Sequence, residues 1–217
     1  MPERLPVPLP VHGFVLAGGA SSRMGEDKAL LRFCGRPMVE IALEKLRGFC
    51  VEVGIAGNRE DLAGFAPVVL ETRAGVGPAA GIEAGLRAAA QPWVLFMPVD
   101  VPLVPGELLR RWAEAVLEMN GVVASNLYYG RNQPAFCMLR RECLGRFSAA
   151  IEAGERRLGV LLERASEGFL WTHDLDELYG ENGPALEMSA RWFKNVNTPE
   201  DLAEAEAWAR ESGLGGD

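Results

Sequence analysis

Thirteen residues, Leu16-Ala17-Gly18-Gly19-Ala20-Ser21-Ser22-Arg23-Met24-Gly25-Glu26-Asp27-Lys28, follow the apolar run Gly13-Phe14-Val15. Gly18, Gly19 and Gly25 let backbone N–H groups approach a ligand with no Cβ in the way. Arg23 and Lys28 bring two positive charges to the same loop. A polyphosphate matches this combination of bare donors and cations. No Gly-Lys-Ser/Thr closes the loop and no spaced Gly-x-Gly-x-x-Gly is present, so neither the Walker A nor the Rossmann dinucleotide pattern applies.

Asp100 follows Trp93-Val94-Leu95-Phe96-Met97, which reads as a strand buried on both faces, and Pro98 and Pro102 forbid its simple continuation. The carboxylate is thereby delivered to one end of a sheet. There it reads either as a turn aspartate satisfying local N–H groups or as the hard oxygen ligand of a Mg2+ whose shell is completed by water and phosphate. Gly77 and Gly81 precede a helix expected from Ile82. They permit either a ligand at the helix N-terminus or a Gly-Pro turn followed by close helix-to-sheet packing. Asn195 and Asn197 alternate, which on a short strand turns both amides to one side; local backbone capping is the other reading. Arg156 and Arg157 are adjacent guanidiniums that fit phosphate oxygens or serve as surface charge. Asp27 reads as a local hydrogen-bonding partner and Met24 as a packing anchor.

Taken together, these segments resemble the nucleotidyltransferases that activate small phosphate esters, and among them the molybdenum cofactor guanylyltransferases. The resemblance covers roughly residues 11 to 208. It is carried in order by the Leu16–Lys28 loop, Gly77-Pro78-Ala79-Ala80-Gly81, Pro98-Val99-Asp100-Val101-Pro102 and Asn195-Val196-Asn197-Thr198-Pro199-Glu200-Asp201-Leu202. Gln133-Pro134-Ala135-Phe136 and Ala153-Gly154-Glu155-Arg156-Arg157 also read like the family.

The resemblance implies transfer of GMP from GTP to the phosphate of molybdopterin, with release of pyrophosphate. Cytidylyl or sugar-phosphate transfer on the same fold is one alternative, and a non-catalytic nucleotide-binding module is another. Attack at an α-phosphate needs in-line positioning and charge neutralisation rather than a covalent intermediate, which accounts for the lack of an obvious nucleophile. The implied roles are Mg2+ on Asp100, Lys28 on the phosphates under attack and Arg23 on outer phosphate oxygens. Asn195 and Asn197 are expected near metal and pterin, and Arg156 and Arg157 at the acceptor's phosphate. Leu16 and Ala17 offer backbone groups to the base, with Gly18, whose backbone N–H stays reachable, standing where cytosine-preferring relatives carry alanine, and Gly19 belongs with Gly25 to the phosphate loop. Glu71 is the nearest acidic candidate for the ribose. Gly54, Ile55 and Ala56 stand where the family often has a side-chain amide, with Asn58 only further on. Molybdoenzymes or cofactor-insertion proteins are the further partners implied.

The elements must bring these segments to one place. The chain of 217 residues is 48% hydrophobic and 24% charged, enough for one well-buried α/β domain. A net charge of −8 argues against non-specific binding to nucleic acid or an anionic membrane. Cys34, Cys50, Cys137 and Cys143 show no Cys-x-x-Cys pairing and read as free thiols of a reducing, cytoplasmic compartment. His12 and His173 are too few for a histidine-rich zinc site, so a catalytic metal is expected on carboxylates. No apolar stretch is long enough to span a membrane.

Residues 1–10, with four prolines, are expected to form an extended arm, 11–212 the nucleotidyltransferase domain and 213–217 a flexible tail. Hydrophobic periodicity places strands at His12–Leu16, Val51–Ala56, Pro67–Leu70, Trp93–Met97, Val122–Ser125, Ala135–Leu139 and Phe169–Thr172. Helices fit Met38–Phe49, Ile82–Ala90, Glu107–Met119, Glu142–Glu152, Leu158–Ala165 and Pro199–Glu211. Thr198 can cap the last, with Pro199 at its first position and Asp201 completing a capping box, and Gly213 can stop it. The alternation implies a single three-layer α/β/α domain on a mostly parallel, Rossmann-like sheet, with ligands outside the carboxyl ends of the strands.

Overall fold

A computed structural model describes residues 7–18, 27–180 and 186–212. Strand β1 (Leu9–Leu16) leads through a two-residue hairpin, β2 (Arg32–Phe33) and β3 (Arg36–Pro37), into α1 (Met38–Arg47). Then follow β4 (Cys50–Ala56), β5 (Val68–Val69), α2 (Pro78–Ala88), β6 (Trp93–Pro98) and α3 (Gly106–Glu118). The remainder comprises β7 (Ala124–Tyr129), β8 (Arg131–Arg140), α4 (Leu144–Glu152), α5 (Leu158–Ser166), β9 (Leu170–Asp174), α6 (Leu175–Tyr179), α7 (Leu186–Trp192) and α8 (Pro199–Glu211).

Seven strands form one sheet in the order β5-β4-β1-β6-β8-β7-β9. All neighbours are parallel except β8, which runs antiparallel to both β6 and β7. The side-chain alternation of β1 shows why the domain has three layers. Val11 and Val15 enter a core with Leu43, Leu46 and Trp112, beneath α1 and α3, while Phe14 and Leu16 enter a second core with Ile82, Leu86, Phe147 and Leu161, beneath α2, α4 and α5. A strand covered on both faces has no polar side to present, hence the unbroken apolar run of β6.

Several elements differ from the sequence-based expectation. β1 starts at Leu9, whose N–H donates to the Phe49 carbonyl at 2.6 Å, so Leu9 and Pro10 belong to the sheet. Helix α2 starts at Pro78 rather than Ile82, because Gly77 adopts φ 60°, ψ −145° and turns the chain directly into it. The two strands expected at 122–125 and 135–139 are parts of a longer hairpin that turns at Gly130, φ 61°. A 3-10 turn at Arg141–Cys143 precedes α4, and α6 and α7 lie where no helix was expected.

Residues 195–198 form no strand, correcting that expectation for Asn195 and Asn197; one backbone bond, from Val196 N–H to the Asp100 carbonyl at 2.8 Å, fixes the segment instead. The capping box of α8 is present, with Thr198 Oγ1 accepting from Asp201 N–H at 3.1 Å and Asp201 Oδ2 from Thr198 N–H at 3.0 Å. All four cysteines are free. No helix among the described residues is long and apolar enough to cross a membrane. Gly213 and the expected tail lie outside the described residues, as do residues 1–6 of the expected arm.

Candidate active site

The parallel strands end on the same side of the sheet, and their loops enclose a cavity of about 310 Å³. Ala17 N–H donates to the Ala56 carbonyl at 3.0 Å and Val99 N–H to the Leu16 carbonyl at 3.2 Å, so the loops leaving β1, β4 and β6 are tied where the strands stop. Leu16, Ala17, Gly18, Lys28, Asp100 and Asn195 all line the cavity. The antiparallel β8 contributes Gln133, Ala135 and Phe136 to its wall.

Four of the expected site residues meet there. Lys28 Nζ donates to Asp100 Oδ2 at 3.2 Å and, through a very short bond, to Asn197 Oδ1. Asn195 Nδ2 donates to the same Asp100 Oδ2 at 3.3 Å. The side chains of Lys28 and Asp100 are only 22% and 16% exposed, so their charges face each other in a poorly solvated setting and attract strongly. Asp100 Oδ1 carries no hydrogen bond among the described residues. A carboxylate that lines a cavity beside the Asn195 amide fits a hard divalent cation that takes the rest of its shell from water and phosphate oxygens. No group of three or more His, Cys, Asp or Glu side chains among the described residues offers a closed metal cage.

Glu71, from the loop after β5, lies against Gly18, and a Cβ built on Gly18 would overlap its Oε1. Asn58 Oδ1 holds that loop by accepting from Glu71 N–H at 3.0 Å. Partial burial raises the Glu71 carboxyl above its ordinary value, and the carboxylate has no hydrogen bond among the described residues. Gly81 faces the sheet: a Cβ there would sit 3.0 Å from Leu16 Cδ2 and 3.4 Å from the Ala56 carbonyl oxygen. Of the Gly77–Gly81 segment, Pro78 reaches the cavity, whereas Gly77 and Gly81 shape and pack the helix start.

Arg156 and Arg157 do not line the cavity. Arg156 Nη1 donates to the carbonyls of Ile151 and Glu155 at 2.9 and 2.8 Å, and Arg157 pairs with Glu155 at 3.2 Å. The Arg157 side chain and the backbone N–H groups of Arg157 and Arg156 hold the Glu155 carboxyl down to about 2. Gly19, Arg23, Met24 and Gly25 lie outside the described residues.

Two features went unread in the sequence. Arg59, just beyond β4, lines the cavity and donates from Nη1 to Asp27 Oδ1 at 2.7 Å. Its position after a parallel strand was the available signal, since every such loop faces the ligand end. Behind the Glu71 loop, Arg73 donates to Glu83 on α2 at 2.7 Å and to Glu152 at the end of α4 at 2.6 Å. Glu83, only 1% exposed, also accepts from Ser148 at 2.5 Å and from Arg87 at 3.3 Å. Burial alone would raise the Glu83 carboxyl; hydrogen bonds from Arg73 and Ser148 outweigh it and hold the group below its ordinary value.

A lysine from the loop after β1 and a carboxylate from the loop after β6, with amides delivered from a distant segment, are the arrangement of a nucleoside-triphosphate transferase domain. Residues 13–168 match the MobA-like NTP transferase domain, and the chain belongs to that family. It is 33% identical over 207 residues to the molybdenum cofactor guanylyltransferase of Polynucleobacter asymbioticus, covering 91% of this chain and 96% of that protein. The corresponding protein of Vibrio atlanticus is 30% identical over 203 residues, again with 91% and 96% covered. Among solved structures, molybdopterin-guanine dinucleotide biosynthesis protein A from Archaeoglobus fulgidus superimposes with a TM-score of 0.70 at 25% identity, covering 92% of this chain and 99% of that one.

Proposed function

We propose that the protein transfers GMP from GTP to the phosphate monoester of molybdopterin, releasing pyrophosphate and forming the guanine dinucleotide cofactor. The cluster at the ligand end of the sheet, with Lys28 and Asn195 on Asp100 and Asn197 on Lys28, carries this reading. Relatives bearing that activity in their names match about nine-tenths of the chain.

In the reaction an oxygen of the acceptor's phosphate forms a bond to the α-phosphorus, and the bond from that phosphorus to the α–β bridging oxygen breaks. The electron pair leaves with pyrophosphate. Such a displacement needs alignment and charge neutralisation more than a covalent partner on the enzyme. Lys28 is held by two oxygens before any ligand arrives, so its ammonium is already aimed at the cavity and loses little freedom on meeting phosphate oxygens. Asp100 would hold Mg2+ with Asn195 beside it, and the ion supplies further neutralisation of phosphate charge. Backbone groups of Leu16, Ala17 and Gly18 face the base, and Glu71, whose carboxylate has no hydrogen bond among the described residues, supplies an acceptor beside them for donors of the nucleoside. Four free cysteines, three of them buried, suit a protein working in the reducing cytoplasm.

The test is pyrophosphate release from purified protein, molybdopterin and Mg2+ with GTP, CTP, UTP or dTTP in turn. Release with GTP alone supports the reading. Equal turnover with CTP moves the assignment to a cytidylyltransferase or a broader nucleotidyltransferase, and release with none of them overturns it.

A further inference from the structure

We infer that Arg59 is a positioning residue for Lys28, acting through Asp27; this rests on the proposed role of Lys28 at the nucleotide's phosphates. Asp27 organises the turn that presents Lys28. Its carbonyl accepts from Leu30 N–H at 3.1 Å and Leu31 N–H at 2.9 Å, and its Oδ1 accepts from Ala29 N–H at 3.0 Å. The same carboxylate takes the Arg59 guanidinium at 2.7 Å. Asp61 grips Arg59 on another edge, receiving Nε at 2.9 Å and Nη2 at 2.7 Å. With its side chain 18% exposed and three of its donors engaged, Arg59 is a fixed strut between the segment after β4 and the lysine turn.

Charge gives the strut its second effect. Asp27, Lys28, Arg59 and Asp100 are the charged residues among the described ones that line the cavity, and these four sum to zero. Without Arg59, one lysine would face two carboxylates in a site meant for a polyanion. Arg59 therefore offsets Asp27 next to the incoming phosphates, its other partner Asp61 lying outside the cavity lining, and leaves Lys28 in place to meet them.

A double-mutant cycle separates this from a direct ligand contact and from a purely structural role. GTP affinity is measured by calorimetry on the full chain for wild type, Arg59→Ala, Asp27→Asn and the pair, with Arg59→Lys as the conservative variant and thermal melts for all. Arg59→Ala is expected to weaken GTP by on the order of tenfold. Arg59→Lys, which keeps the charge and loses the fork, should recover part of that. Asp27→Asn keeps the Ala29 acceptor but removes the charge needing neutralisation, so adding Arg59→Ala to it should weaken GTP by less than about threefold. An undiminished loss in the Asp27→Asn background would make Arg59 a direct ligand and overturn the inference. Unchanged affinity in a folded Arg59→Ala protein would also overturn it. Should Arg59→Ala fail to fold, Arg59→Lys is judged in the same cycle: a loss in it that Asp27→Asn leaves undiminished, or no loss at all, again overturns the inference. Wild-type protein that binds no GTP would instead defeat the functional reading on which the inference rests.

Discussion

The carboxylate of Glu71 rests against the α-carbon of Gly18, close enough that no side chain fits at residue 18 without displacing it. Because the obstacle is the end of a flexible side chain, Gly18→Ala is expected to fold, with Glu71 swung out of place. The ratio of kcat/KM for GTP over CTP should fall by about tenfold or more, since mispaired buried donors and acceptors are the main source of discrimination between bases. Glu71→Ala added to Gly18→Ala should then change the ratio little. An unaltered ratio in Gly18→Ala would remove residue 18 from base selection.

Asp100→Ala is expected to leave the fold intact, because the bond tying Val196 to residue 100 uses the backbone carbonyl rather than the carboxylate. Turnover should drop by about a thousandfold as the anchor for Mg2+ and the partner of Lys28 disappear together. Near-normal pyrophosphate release from a variant with a normal melting curve would contradict this.

For Lys28→Ala, the ligand comparison is decisive. Loss of an ammonium aimed at phosphates should weaken GTP by at least about tenfold and guanosine hardly at all. Calorimetry with both ligands checks it, and equal losses would place Lys28 against the nucleoside.

Glu83 links stability to pH. Its carboxyl is held below its ordinary value, so the ionised group adds stability that is complete above about pH 4.5 and fades as pH falls through the lowered value. Glu83→Gln should cost about 2 kcal/mol at pH 7 in denaturant unfolding, by weakening the bonds from Arg73 and Ser148. Below pH 4 the gap to wild type should narrow. A gap that is the same at pH 7 and pH 3.5 would show that charge is not its source.

How much could be read in advance depended on how far each feature relied on distant partners. That Lys28 and Asp100 serve one site was implied by the family resemblance, and the start of α8 was legible in Thr198, Pro199 and Asp201, whose capping chemistry is local. The start of α2 was hidden because alanines and Gly81 carry almost no periodic signal. Glu83 looks like a solvated helix residue until Arg73 and Ser148, 10 and 65 residues away, are folded onto it. The antiparallel course of β8 depends on the turn at Gly130 and on pairing with β6, neither of which leaves a mark on side-chain type. Asn195 and Asn197 reach their partners from an irregular segment tied by one long-range backbone bond, which no local pattern announces.

That bond bears on the order of events at the ribosome. The whole sheet, together with Lys28 and Asp100, is synthesised before Asn195 emerges. A nascent chain can thus hold a finished sheet and still lack the amides that complete the cavity. Completion of the site therefore waits for the segment around Val196 to be made and to bond residue 100, however early the strands are in place.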